Sequence, residues 1–438
     1  MRFGIALMAK MGLERVMSAR LSELGDRQKP SDITRLMAIA LEQPNLLSLA
    51  AGFTDNDSLP LNDVREIVEE IAASDKDGKP TLQYGSNKGR EALRDLLTDR
   101  IRSFDTISEG RIDSESLFIS NGSQQALYLA IQTLCDPGDY VLVEQPTYFV
   151  FLEILQGFDV HALPMPMKDS GDVDVEELEA LLARSEKEGI SEKIKALYLV
   201  SYFSNPSGHC VGEETKSKIG SLLEKQKTSI AVIEDAAYRE LYYEAPFGSR
   251  SCLGISDFDN LPVLYTSTLT KPYASGLKVG YSYCTDEKWL NSMLSVKGQQ
   301  DFGTANFAQA IVERALLSGR FDRHLDSLRK RYHTKMLTLH RSLDPSLKRL
   351  GWEWESPLGG LYLWLRSPKG LRTDAISDFH SACIENGVFY VPGDLCFAGN
   401  EVRDRIRLSF GALNIGDIEE AGRRFAEAAA AMTSSATV

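Results

Sequence analysis

The chain lacks most of the features that commit a protein to a metal, a disulfide frame, a membrane or a nucleic acid. Its six cysteines (Cys135, Cys210, Cys252, Cys284, Cys383 and Cys396) are scattered, with no Cys-x-x-Cys pair. Such scatter points to buried thiols in a reducing compartment rather than to disulfides or a zinc site. The six histidines show no His-Glu-x-x-His or similar spacing, so no metal is expected. Basic residues are in deficit, 49 Lys and Arg against 62 Asp and Glu, for a net charge of −13. Phosphate backbones need a basic face, so nucleic acid is not an expected partner. Long apolar runs are missing too. The run inside Met1–Lys10 is too short for a secretion signal and far too short to span a bilayer, and no other run is longer. The expectation is a cytoplasmic protein with no membrane contact. Neither Gly-x-x-x-x-Gly-Lys-Ser/Thr nor a dinucleotide-binding glycine fingerprint occurs, which argues against a nucleotide ligand. No internal repeat is evident.

What is present is ordinary globular material: 438 residues, 43% hydrophobic and 25% charged, enough for one large or two ordinary domains. Apolar runs of strand length occur at Leu117–Ser120, Tyr140–Glu144, Ala196–Val200, Ser229–Glu234 and Leu261–Tyr265. Helical patterns lie between and around them, at 61–73, 91–101, 126–134, 174–186, 216–225 and 286–318. A further helix is expected over 11–43, with Ser31-Asp32 as a possible cap. The long polar-faced helix 323–343 leads to a second set of elements. These are strands at Tyr362–Leu365, Val388–Val391 and Arg405–Phe410, helices at 373–386 and 415–432, and a frayed tail.

Several of the strand ends carry chemistry. After Leu261–Tyr265 comes Thr268-Leu269-Thr270-Lys271-Pro272, where Pro272 biases Lys271 toward an extended backbone. A lysine so placed can point into a cleft, lose its proton and attack an aldehyde; most lysines are solvated surface charges. Asp235 ends the run Ile230–Glu234, at the strand end where open α/β sheets bind ligands. A carboxylate there needs a cationic partner. Gly122, Ser123 and Gln124 open a helix directly after a strand, a cradle suited to phosphate, although an ordinary capped helix reads the same way. Tyr148 could stack on a flat ligand or simply pack. Pro206 holds Asn205 extended, so that its amide projects from a strand end. Gly52 ends the run Asn45–Ala51, as a turn or as a place where a ligand approaches the backbone. Tyr84, in a loop with Gly85 and Gly89, precedes a helix start that could bind an anion.

Taken in order, these stretches resemble the fold-type I, pyridoxal-phosphate-dependent aminotransferases of classes I and II. The resemblance rests on Asn121–Ala126, Pro137-Gly138-Asp139, Glu144–Tyr148, Asn205-Pro206-Ser207-Gly208, Asp235-Ala236-Ala237-Tyr238, Thr268–Lys271 and Arg405-Ile406-Arg407-Leu408. Leu82-Gln83-Tyr84-Gly85 and Gly359–Trp364 suggest the branch near the aminoadipate and kynurenine aminotransferases.

The resemblance implies an α/β fold with a mostly parallel central sheet flanked by helices, and a smaller α+β domain drawn from both chain ends. Residues 1–62 would form an N-terminal arm and part of the small domain, 63–322 the large cofactor-binding domain, and 323–438 the rest of the small domain. It also implies pyridoxal 5′-phosphate as cofactor, an α-amino acid and a 2-oxo acid as substrates, a ping-pong reaction and a homodimer with shared active sites. Lys271 would form the Schiff base and shuttle the proton. Asp235 would pair with the ring nitrogen, and Asn205 and Tyr238 would hydrogen-bond the phenolate oxygen. Tyr148 would stack on the ring. Gly122, Ser123, Gln124, Thr268 and Lys278 would hold the phosphate, with Tyr84 reaching the neighbouring subunit's phosphate. Arg407 would clamp the substrate carboxylate, with Gly52 and Asn205 beside it.

Three departures from the family stand out. Lys278 occupies a place usually held by arginine, Thr268 and Thr270 replace serines, and Gly52-Phe53-Thr54-Asp55 lacks the usual proline. Two other functions compete with amino transfer: a lyase, decarboxylase or synthase on the same scaffold, and a non-catalytic cofactor-binding regulator. A transaminase given one amino acid and no oxo acid stalls as its aminated form, whereas a lyase keeps turning over. A regulator would need a basic DNA-binding segment, and the family's own N-terminal elements fill the residues before the phosphate loop.

Overall fold

The computed structural model describes residues 19–28, 30, 38, 45–226, 229–399 and 402–435. The helix expected over 11–43 and its Ser31-Asp32 cap lie mostly outside the described residues, as does the end of the tail. Within that stretch Glu23–Arg27 forms a short helix capped by Ser22.

Among the described residues twelve strands, β1 to β12, run in chain order as Leu47–Ser48, Leu117–Asn121, Tyr140–Val143, His161–Pro164, Ile194–Val200, Ala231–Asp235, Val263–Thr268, Val279–Cys284, Tyr362–Arg366, Val388–Phe389, Val391–Pro392 and Arg405–Ser409. A seven-stranded sheet takes the order β2-β8-β7-β6-β5-β3-β4. All neighbouring pairs are parallel except those made by β8, which runs against both β2 and β7. Alternate residues of the central strands enter two cores, one on each face. Leu142, Leu197, Val232 and Val263 go to one, and Val143, Tyr198, Ile233 and Leu264 to the other. Burial on both faces is why these strands read as near-continuous apolar runs. The second sheet, β11-β12-β9, is antiparallel, and β1 pairs with β10 in parallel. The α/β fold with its mostly parallel central sheet is therefore as the sequence implies.

Several boundaries differ. The expected strand Val388–Val391 is split at Tyr390 into β10 and β11, which belong to different sheets. The helix expected over 373–386 starts only at Asp378, where Ser377 caps it; upstream, Thr373 is tied to the carbonyls of Arg403 and Arg405. The helical stretch 286–318 is two helices, Glu287–Asp301 and Asn306–Leu317, broken where Gly303 takes φ +74 against the backbone of Gly85. Helix Asp75–Leu82, which contains Gly78 and Pro80, and strands β4 and β8 were not expected from sequence.

Candidate active site

The parallel strands end along one edge of the large sheet, and the chemistry-bearing residues gather there. Asp235 is the last residue of β6 and Thr268 of β7. Tyr148 follows β3, Asn205 follows β5, and Lys271 lies three residues beyond β7. They line a cavity of about 610 Å³ together with Gly122, Ser123, Gln124, Tyr238 and Lys278. The structure thus brings together the expected site residues except Tyr84, Gly52 and Arg407, and the last two are joined to it by hydrogen bonds.

Lys271 Nζ donates to the carbonyl of Gly52 at 2.6 Å. Burial, followed by the positive charges of Lys278 and Arg407, pushes its amine down to about 8. Asp235 is 4% exposed. Its two carboxylate oxygens accept from Tyr198 Oη at 2.9 Å and from the Ala237 amide at 3.0 Å. Burial pushes this carboxyl up to about 6, against the pull of those two donors. Tyr198 was not singled out from sequence. It sits on the same face as Asp235, which pairs with Val200, so the two are diagonal neighbours across β5 and β6.

Helix Gly122–Leu134 starts directly after β2. Gly122, Ser123 and Gln124 line the cavity, and their first-turn N–H groups have no intrahelical acceptor. Gly122 has φ +72, and a Cβ on Gly280 of β8 would stand 2.4 Å from the Gly122 carbonyl carbon. Glycine at both positions is what lets this helix start press against the strand. Thr268 Oγ1 donates to Thr270 Oγ1 at 2.6 Å, and Thr270, noted in the sequence only as replacing a serine, lines the cavity as well. Lys278 is exposed, in a left-handed conformation at φ +54.

Arg407, on β12, is 2% exposed. Its Nη1 donates to Asn205 Oδ1 at 2.9 Å and its Nη2 to the Ala50 carbonyl at 2.6 Å, while its buried Nε has no hydrogen-bond partner. Tyr362 lies beneath the guanidinium, whose carbon is 4.5 Å from the ring centre. Tyr84 is 80% exposed and lies outside the cavity, edge-on to Phe302. Among the described residues no cluster of His, Cys, Asp and Glu could hold a metal, and no helix is long and apolar enough to cross a membrane.

These residues fit pyridoxal phosphate. A buried carboxylate held only by neutral donors faces the cavity from one side, matching a protonated ring nitrogen. A depressed-pKa lysine lines the same cavity, a helix start suits the phosphate, and Tyr148 provides a ring to stack on.

The comparisons with known proteins agree. The family model for aminotransferases of class I and II matches residues 44–425. Over 407 residues the chain is 28% identical to aromatic-amino-acid aminotransferase 1 of Thermococcus litoralis, covering 93% of both chains. It is 28% identical to the 2-aminoadipate transaminase of Thermus thermophilus over 403 residues, 92% of this chain and 94% of that one. The crystal structure of Pyrococcus horikoshii kynurenine aminotransferase matches with a TM-score of 0.84 at 28% identity, over 94% of this chain and 97% of that one.

Proposed function

The chain belongs to the class I and II aminotransferases, pyridoxal-phosphate enzymes that move an amino group between an α-amino acid and a 2-oxo acid, and from that premise we propose which of its residues do the work. When bound, the cofactor supplies an aldehyde that captures the amino group and a ring that withdraws electrons from the substrate α-carbon. Lys271 is the covalent anchor. With its amine lowered to about 8, a fraction is unprotonated near neutral pH and able to attack. Once displaced, the same Nζ would be placed to take the proton from the substrate α-carbon and hand it to the carbon on the far side of the amino nitrogen. Asp235 holds a positive charge at the ring nitrogen, with Tyr198 keeping the carboxylate in its anionic form. Tyr238 and Asn205 donate to the phenolate oxygen, and Tyr148 covers the ring face. Gly122, Ser123, Gln124, Thr268 and Lys278 take the phosphate.

Arg407 binds the substrate carboxylate through Nε and its remaining N–H groups, beside Gly52 and Asn205. Arg407→Ala is expected to raise KM for the amino donor by about 30-fold or more, since a buried charge-assisted pair is worth about 2 kcal/mol or more. Saturation kinetics check this; an unchanged KM would mean that another cation binds the carboxylate. Lys278→Arg is expected to bind the cofactor at least as tightly as the parent, because a guanidinium fork suits phosphate better than an ammonium; a cofactor titration measures it.

The observation that carries this reading is that Lys271 and Asp235 line one cavity with a helix N-terminus between flanking strands. The relatives' names support aromatic amino acids and 2-aminoadipate as candidate donors, and a role in amino acid biosynthesis belongs to the same proposal. A donor-by-acceptor activity screen tests this directly; turnover with one amino acid and no oxo acid would favour lyase chemistry instead. The functional unit in this reading is a cytoplasmic homodimer. Exposed Leu82, Tyr84 and Phe302 support such an interface, with Tyr84 reaching the neighbouring cofactor. In this reading residues 63–322 are the cofactor domain, 1–62 an N-terminal arm and part of the small domain, and 323–438 the rest of the small domain, a division supported by the pairing of β1 with β10.

A further inference from the structure

Tyr362 appears in none of the roles above, yet it touches three parts of the site. It is buried at the start of β9, opposite Ser409 of β12, so that Arg407 is its diagonal neighbour. Its ring lies 4.5 Å under the Arg407 guanidinium. Its hydroxyl is 2.9 Å from the hydroxyl of Tyr238, with the two rings edge-on at 75°. A Cβ on Gly52 would stand 2.8 Å from that same hydroxyl, so the Gly52 backbone, which holds Lys271, passes directly against it. The titratable and charged groups around Tyr362 are Tyr238, Tyr148 and Arg407 on the cavity side and Tyr332 from the long helix.

We propose that Tyr362 is a positioning residue: its hydroxyl donates to Tyr238 Oη, fixes that phenol in the cavity, and strengthens the hydrogen bond that Tyr238 gives the cofactor's phenolate oxygen. Tyr238 follows β6 of the large sheet and Tyr362 stands in the second sheet, so the contact ties the cofactor pocket to the strand pair that carries Arg407. The physical basis is cooperativity. A phenol that accepts a hydrogen bond becomes a better donor in a low-dielectric site. The inference rests on the role given to Tyr238 above.

A donor to the phenolate oxygen stabilises that oxygen without a proton, so weakening the donor raises the pH at which the holoenzyme's visible absorbance changes. The test is to titrate that absorbance against pH in the parent, Tyr238→Phe, Tyr362→Phe and the double variant, all loaded with pyridoxal phosphate. Tyr362→Phe keeps the ring beneath Arg407 and removes only the hydroxyl. Its midpoint is expected to move up by about 0.5 to 1 in pH, the effect of losing one hydrogen bond. Tyr238→Phe is expected to move it further, and the double variant to match Tyr238→Phe, because Tyr362 acts only through Tyr238. A parent-like midpoint in Tyr362→Phe, or a double variant that adds the full single effect, overturns the inference and leaves the role of Tyr238 standing. A parent-like midpoint in Tyr238→Phe overturns both.

Discussion

Lys271→Ala is expected to lose its borohydride-reducible link to the cofactor and to fall in kcat by roughly 10⁴-fold or more. Two losses combine. No other amine takes the covalent step, and no group is left at that place to carry the proton. Lys278, also lining the cavity, does not substitute. It sits exposed at the start of β8, in a left-handed turn, whereas Lys271 is held against Gly52. The measurement is absorbance before and after borohydride, with a single-turnover rate for the amino donor. A variant that keeps the yellow, reducible holoenzyme would remove Lys271 from the centre of the mechanism.

Asp235→Asn carries the second large effect. The substitution keeps the shape of the side chain and both neighbours, Tyr198 and the Ala237 amide, but removes the negative charge. A ring nitrogen facing a neutral amide has no reason to hold its proton, and the ring loses its capacity to draw electrons from the α-carbon. The expected outcome is a loss of roughly 10²- to 10⁴-fold in the rate of α-proton removal, with the cofactor still bound through its phosphate and Lys271. Deuterium exchange from an α-deuterated donor reads that step in isolation. The low-lying lysine and the raised carboxyl point in complementary directions. In the protein alone Asp235 is held by neutral donors in a buried place, and a cation at the ring nitrogen would draw its carboxyl back down.

How much of this was legible in the sequence depends on whether a contact is local. Asp235, Asn205, Tyr148 and Lys271 each follow a short apolar run, so each could be placed at a strand end by the pattern of its own segment. Tyr198 and Tyr362 could not. Tyr198 reads as one more apolar residue of β5, and its contact with Asp235 depends on the register that sets Val200 opposite Asp235. Tyr362 depends on the packing of one sheet against another.

Strand β8 was hidden for a related reason. Its Tyr281-Ser282-Tyr283 alternation does not look like a core strand, yet Ser282 is buried because it hydrogen-bonds Thr266 on the facing strand at 2.9 Å. A polar pair that satisfies itself across strands leaves no trace in either segment alone. The same is true of Gly303, whose turn breaks a helical pattern because it must clear Gly85 far away in the chain. Arg407 rests on the resemblance alone and Gly52 on the small-residue end of its own run as well, and the geometry joins them to Asn205 and Lys271.

The measurement that tests the central claim most directly is a crystal structure of the holoenzyme. The account predicts one pyridoxal ring spanning the cavity, its aldehyde carbon bonded to Lys271 Nζ and its ring nitrogen about 2.8 Å from an Asp235 oxygen. A ring bonded to a different lysine, or one whose nitrogen faces solvent while Asp235 keeps only Tyr198 and Ala237 for company, would contradict it.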